Sequence, residues 1–183
     1  MRQFTQPYEE WVRLPVDKPF QAPAAADHQP DHVGLPVVIC GWDGATRRGS
    51  HSAGGVVLMT PNRDILMATG VQFPVIDDPL VVELLVLREA VLWCMGHILY
   101  NVGFEGDAKV VIDKIKRVDT RDSRLGAILE EVLHYFACNP GFSVRFIGRR
   151  SNRLAHMVAR KALSLYPTMS RYFDFHAWLI SKV

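Results

Sequence analysis

The run Val37-Val38-Ile39-Cys40-Gly41-Trp42 is apolar throughout and ends on an acid, Asp43, followed by Gly44. With Pro36 in front and a turn behind, it reads as a short strand buried at the centre of a sheet. That placement demands cover on both faces of the sheet, which restricts the chain to a few layered folds. The last side chain of the strand is a carboxylate. Its meaning depends on whether later elements carry further carboxylates to the same edge.

The segments that follow give the order of elements. Residues 53–60 and 65–71 flank Pro61-Asn62-Arg63-Asp64, a turn composition, so the first strand is followed by a hairpin and the three strands are antiparallel. The pair Gly54-Gly55 marks a bulge or a close approach. The period then changes. From Asp78-Pro79 the residues Leu80, Leu84, Leu87, Val91, Met95 and Ile98 recur at helical spacing, with Asp77 or Asp78 as N-cap and Pro79 at the first helical position. A second face of the same helix, Val82, Val86, Ala90 and Trp93, is also apolar, which predicts cover on more than one side.

A short strand over 101–107, a helix over 108–115, a further helix over 123–137, an alternating strand over 142–147 and a helix over 151–165 complete the pattern. The sum is an α/β domain with a mixed five-stranded sheet flanked by helices. Residues 1–35, with Pro15, Pro19, Pro23 and Pro30, read as a proline-rich flexible leader, in which Trp11 is a candidate to dock on the domain. The domain takes 36–166, and 167–183 form an aromatic tail expected to pack on it, with a homodimer or a protein partner as the alternative use of that surface.

Composition excludes several classes. At 49% hydrophobic and 22% charged residues the chain is typical of a globular protein, and no apolar stretch is long enough to span a membrane. The N-terminus lacks the order of a secretory signal, so an intracellular location is expected, nucleus and cytoplasm being equally open. Cys40, Cys94 and Cys138 are odd in number and widely spaced, which suggests buried thiols and neither a zinc site nor a disulfide framework. A net charge of +2 is too small to argue for nucleic-acid binding, so charge placement has to carry that question.

Three acids fall at the ends of elements that meet at one edge: Asp43, Glu83 in the first turn of the long helix, and Asp107 closing the fourth strand. Converging carboxylates are the usual means of holding magnesium, which prefers oxygen ligands. Each acid also has a local explanation. Asp43-Gly44 is a turn pair, Glu83 suits the positive end of a helix dipole, and Asp107 can cap a helix.

Taken together, four blocks resemble the type 1 ribonuclease H domain. They are Trp42-Asp43-Gly44-Ala45 with Gly54-Gly55-Val56-Val57 behind it, Val82-Glu83-Leu84-Leu85-Val86-Leu87-Arg88-Glu89-Ala90, Phe104-Glu105-Gly106-Asp107-Ala108, and Gly148-Arg149-Arg150-Ser151-Asn152-Arg153-Leu154-Ala155-His156. They run in unbroken order over about residues 37–165 and are most similar to the plant branch, related to the ribonuclease H portion of retroelement reverse transcriptases. The resemblance implies a sheet of order 3-2-1-4-5 with strand 2 antiparallel, and an acidic edge holding two divalent ions, Mg2+ or Mn2+. It implies Asp43, Glu83 and Asp107 as the catalytic and metal-binding acids. The activity implied is hydrolysis of the RNA strand of RNA/DNA hybrids.

In one place the chain departs from well-characterised catalytic members, which carry a fourth acid where this chain has His156. An imidazole can ligate or shuttle a proton, so His156 is counted with the catalytic residues, a partly buried polar residue on a helix being its other reading, yet it brings no negative charge and no bidentate grip. Around the last strand and helix, Arg145, Arg149, Arg150, Arg153, Arg160 and Lys161 form either a solvated face or a basic rim for a polyanion. Arg47, Arg149, Arg150, Asn152 and Arg153 are the expected nucleic-acid contacts, with capping of the last helix as the other use of Asn152. The basic handle that some ribonucleases H carry between their middle helices is not evident. Two functional classes follow: a metal-dependent nuclease, or a catalytically weak module of the same fold that binds nucleic acid or protein.

Overall fold

The computed structural model describes residues 37–166 and 171–183, so the leader expected over 1–35, Trp11 included, lies outside the described residues. Strands β1 (Val38–Ala45), β2 (His51–Met59) and β3 (Ile65–Val75) run antiparallel in succession. Helix α1 (Pro79–Gly96) crosses to β4 (Val102–Gly106), which lies parallel against β1. Helices α2 (Lys109–Arg117) and α3 (Gly126–Cys138) then lead to β5 (Phe142–Phe146), parallel to β4, and α4 (Arg153–Ser164) follows.

The chain ends in a short strand, β6 (Tyr172–Asp174), and α5 (His176–Ile180). The sheet order is β5-β4-β1-β2-β3-β6. The five strands expected from the sequence are present in the expected order, and the count is corrected to six. The additional strand pairs antiparallel with the outer edge of β3, from Thr69 opposite Asp174 to Val71 opposite Tyr172. A three-residue strand with an aromatic, non-alternating pattern offers no period to read, and its pairing partner is remote in the chain.

Alternation along β1 divides the core. Val38, Cys40 and Trp42 face the layer built on α1, whereas Ile39 faces the layer built on α4. The apolar residues of α1 on both of its faces, Val82, Leu84, Val86, Leu87, Ala90, Val91 and Cys94, are buried because the sheet lies beneath the helix and α3 packs alongside it. Asp78 caps α1, its carboxylate accepting from the Leu80 N–H at 2.9 Å, while Asp77 takes the Gly49 N–H. The same helix buries two charges. Arg88 is forked on Glu131 of α3, and Glu89 accepts from the Tyr172 hydroxyl of β6, so both ions keep partners that offset their desolvation.

Helix α3 begins at Gly126, later than the Ser123 expected. The reason is local: Asp122 accepts the Arg124 N–H with its side chain and the Leu125 and Gly126 N–H groups with its carbonyl, closing a turn in front of the helix. Cys40 and Cys94 are buried as expected, but Cys138 is exposed, because α3 ends there beyond its apolar stripe. Among the described residues no helix is long and apolar enough to cross a membrane.

Gly54 and Gly55 prove to be points of close approach. A Cβ on Gly54 would lie 2.3 Å from Val86 Cγ2, and one on Gly55 would lie 2.3 Å from the Ala155 carbonyl oxygen and 2.4 Å from the Ala159 nitrogen. The two helices therefore rest on opposite sides of β2 with nothing between backbone and sheet. Asp43 is the partner of Gly55 across the β1–β2 ladder. The helix turn that settles on Gly55 is the one that carries His156, so the glycine brings that ring to the acid.

Candidate active site

Asp43 stands inside β1, which continues to Ala45, so the Asp-Gly turn reading does not apply. The parallel register of β1 with β4 sets Gly41 opposite Glu105, and continuing it by two residues lays Asp43 beside Asp107, just past the end of β4. Asp107 does not cap α2, whose N-cap position is Ala108 with no side-chain bond. Glu83 is the fifth residue of α1 and so lies just past the first turn in which the sequence pattern set it, because the helix starts at Pro79. It accepts the Gly44 N–H at 3.1 Å, which ties the helix to the end of β1. Three separate elements thus deliver one carboxylate each, and ligand oxygens of Asp43, Glu83 and Asp107 all lie within 4.8 Å of one another.

The electrostatics reflect that crowding. Burial raises the Asp43 carboxyl to about 6; the hydrogen bond from His156 opposes the rise and Asp107 adds to it. Glu83 is pushed up to about 9, first by burial and then by repulsion from Asp43 and Asp107, against the pull of the Gly44 N–H and Arg149. Three buried or half-buried carboxylates that resist joint ionisation form a hard, oxygen-only donor set. A small divalent cation is the partner that relieves their repulsion, and the residues fit it.

Two further side chains hold these acids. His156 Nδ1 lies 2.8 Å from Asp43 Oδ2, where the ring N–H donates to the carboxylate. Asn152 occupies the N-cap position of α4 but makes no capping bond. It is 3% exposed, and its Nδ2 donates to the Trp42 carbonyl at 2.9 Å and to Asp107 Oδ1 at 2.8 Å. Both amide hydrogens are thereby used inside the protein. The structure sets Asn152 behind the acids, whereas Arg47, Arg149, Arg150 and Arg153 are exposed, Arg149 near enough to Glu83 to act on its charge.

Arg145, counted in the basic rim, is committed inward instead. Together with Arg63 it pairs with Glu105, a carboxylate only 1% exposed; Arg63 donates at 2.6 and 3.2 Å and Arg145 Nε at 2.6 Å. Sequence reasoning missed this trio. A signal was available: Glu105 sits in an otherwise apolar strand, and a buried acid requires a cation nearby.

The profile of a family described as reverse transcriptase-like matches residues 41–162, a stretch that takes in all three acids, Asn152 and His156. The chain belongs to the reverse transcriptase-like family. A comparison with curated proteins finds no match. Among solved structures, this reverse transcriptase-like domain is similar to RNase H1 from the halophilic archaeon Halobacterium salinarum, with 22% identity and a TM-score of 0.64 over 69% of this chain and 96% of that one. It is also similar to LC11-RNase H1 in complex with an RNA/DNA hybrid, with 19% identity and a TM-score of 0.61 over 69% and 96% of the two chains. A third likeness is to the foamy viral protease-reverse transcriptase in complex with RNA/DNA hybrid, at 11% identity and a TM-score of 0.62, covering 79% of this chain and 22% of that one. At these identities the likeness is one of fold, and the fold is ribonuclease H-like.

Proposed function

We propose that this reverse transcriptase-like domain is a ribonuclease H type 1-like endonuclease that hydrolyses the RNA strand of RNA/DNA hybrids. The observation that carries the reading is the convergence of Asp43, Glu83 and Asp107 within 4.8 Å at one edge of the sheet. These residues would hold Mg2+ or Mn2+, two ions in the full arrangement. Bound there, divalent ions neutralise the phosphate and lower the pKa of an attacking water.

The remaining roles belong to the chain itself. His156 fixes one oxygen of Asp43 and shares its charge, and Asn152 fixes one oxygen of Asp107. Arg47, Arg149, Arg150 and Arg153 give a cationic border for a polyanionic backbone, the scissile phosphate lying over the acids. LC11-RNase H1 and the foamy viral enzyme have both been captured with RNA/DNA hybrids, which supports the same partner class here.

One observation favours the second reading, a weakly active or inactive module that binds nucleic acid or protein. The group against Asp43 is an imidazole where a fourth carboxylate would complete the set. A labelled RNA/DNA hybrid with Mg2+ or Mn2+ separates the two. Metal-dependent cutting of the RNA strand, lost in Asp43→Asn, establishes the nuclease. A folded protein that binds the hybrid and leaves it intact is the module.

A further inference from the structure

Helix α4 packs across β2, β1 and β3, and the β4–β5 half of the same sheet face is roofed by arginine side chains. Arg145 stands directly opposite Glu105 in the β4–β5 register. Arg63 comes from the β2–β3 turn, where its φ of 72° lies in the left-handed region that non-glycine residues seldom adopt. From there its guanidinium forks onto both oxygens of Glu105. Between this pair and the start of α4 lies a cleft of 430 Å³, lined by Gly41, Met59, Arg63, Glu105, Arg150 and Arg153 among others.

The charge in this cleft is unbalanced. Its lining carries three arginines against one carboxylate, which Arg145 already shares, and among the described residues Arg150 and Arg153 are in no ion pair. Glu105 keeps the Arg63 fork rigid, so a bound anion would meet cations already ordered. Guanidinium groups match the oxygens of carboxylates and phosphates, and phosphate is the anion that the nucleic acid of the nuclease reading would bring to the cleft. Asn152 lines the cleft and also holds Asp107, so the cleft and the acidic edge lie on two sides of one side chain.

We propose that this cleft is a phosphate-binding subsite, distinct from the acidic edge, which takes a backbone phosphate of the bound nucleic acid through Arg63, Arg150 and Arg153. The inference rests on the nuclease reading above. Arg63 is the residue that distinguishes it, because it lies in the β2–β3 turn and contributes nothing to the carboxylate cluster.

The test is binding of a labelled RNA/DNA hybrid in EDTA in the Asp43→Asn background, titrated over salt, with Arg63→Gln, Glu105→Gln and Gly41→Ala. Arg63→Gln is expected to weaken binding by roughly threefold to tenfold and to reduce the slope of log K against log salt by about one. Glu105→Gln keeps a carbonyl oxygen to anchor the Arg63 guanidinium while removing the counter-charge, and is expected to leave affinity unchanged or raise it, whereas a merely structural role for the trio predicts loss in both variants. Gly41→Ala raises the floor of the cleft, yet its Cβ would meet nothing closer than Met59 Cε at 3.4 Å, so this variant folds and reports on the space even if Glu105→Gln does not. Its expected effect is weaker hybrid binding.

Affinity and salt slope unchanged in Arg63→Gln and Gly41→Ala overturn the subsite while hybrid cleavage by the natural chain leaves the nuclease standing. A natural chain that binds no hybrid at low salt overturns both. Adenosine monophosphate is the second probe: if it binds in an Arg63-dependent way while hybrid affinity ignores Arg63, the cleft serves a free nucleotide and the backbone proposal is wrong.

Discussion

Asn152 holds Asp107 by a 2.8 Å hydrogen bond while the same nitrogen holds the Trp42 carbonyl at 2.9 Å, so one side chain on α4 fixes an acid beyond β4 and the backbone of β1 together. The acids are thus set relative to each other by a buried residue whose two amide hydrogens are both used inside the protein. Asn152→Ala leaves the buried Trp42 carbonyl without this donor and frees Asp107 to rotate, a loss of about 1–3 kcal/mol in stability. Divalent-ion affinity and hybrid cleavage are expected to fall by roughly tenfold to a hundredfold, the usual scale for a partner that orients a ligand. Manganese titration by calorimetry on the folded variant checks this; affinity equal to that of the natural chain would remove Asn152 from the site's architecture.

His156 acts on the neighbouring acid through charge as well as position. Its hydrogen bond favours the ionised form of Asp43 and so holds down a carboxyl that burial has already raised to about 6. His156→Ala removes that restraint, so the Asp43 carboxyl rises further and protons compete harder with a divalent ion. Metal affinity in the variant is expected to fall most near pH 6 and to approach that of the natural chain by pH 8. Parallel titrations at the two pH values decide the matter, since a uniform loss across pH would mean that the ring acts only as a spacer.

How far the sequence discloses this arrangement depends on what each residue's neighbours in the chain record. The central strand, the hairpin and the capped helix carry their own periods, and Asp78-Pro79 marks the start of α1 in the chain itself. Asp43, Glu83 and Asp107 can be brought to one edge because each lies within a few residues of the end or start of an element whose order is legible. Glu105 with Arg63 and Arg145 could not be paired that way, as the contacts join residues 42 and 40 positions apart through the sheet. The inward turn of Asn152 was hidden for a related reason: an Asn before a helix looks the same whether it caps the helix or reaches across to another strand.

Glu83 gives the apo protein a characteristic response to pH. Its carboxyl titrates at about 9 in the folded chain against an ordinary 4.5. Between those values the folded chain keeps a proton that the unfolded chain has released, so stability falls as pH rises across the window and the full penalty is present above about 9. Asp43 adds the same sign between 3.8 and about 6, so the range above pH 6 isolates Glu83. In chelator, the melting temperature is expected to decline from pH 6 to 9 in the natural chain and to stay flatter in Glu83→Gln, which melts higher by about 5 °C or more at pH 8.5. Excess Mg2+ should close that gap by stabilising the natural chain. Identical pH profiles for the two proteins would place the burdened carboxylate elsewhere.

The C-terminal segment closes an edge that would otherwise be open. β6 pairs with β3, Phe175 lies under Gly70, where a Cβ would stand 2.4 Å from its ring, and Leu179 is fully buried in the layer beneath α4. We infer that residues 171–183, the described part of the tail expected over 167–183, belong to the domain as cover. Leu179→Ala is therefore expected to lower stability by about 2–5 kcal/mol, the range for truncating a buried leucine. Deleting residues 171–183 exposes the β3 ladder as well as Gly70 and the flank of α4, and an unpaired, largely apolar edge recruits another chain. Light scattering should then show the truncated protein self-associating at concentrations where the full chain does not. A truncated chain that remains monomeric with an unchanged melting temperature would free the segment for the other use read from its aromatic residues, contact with a partner.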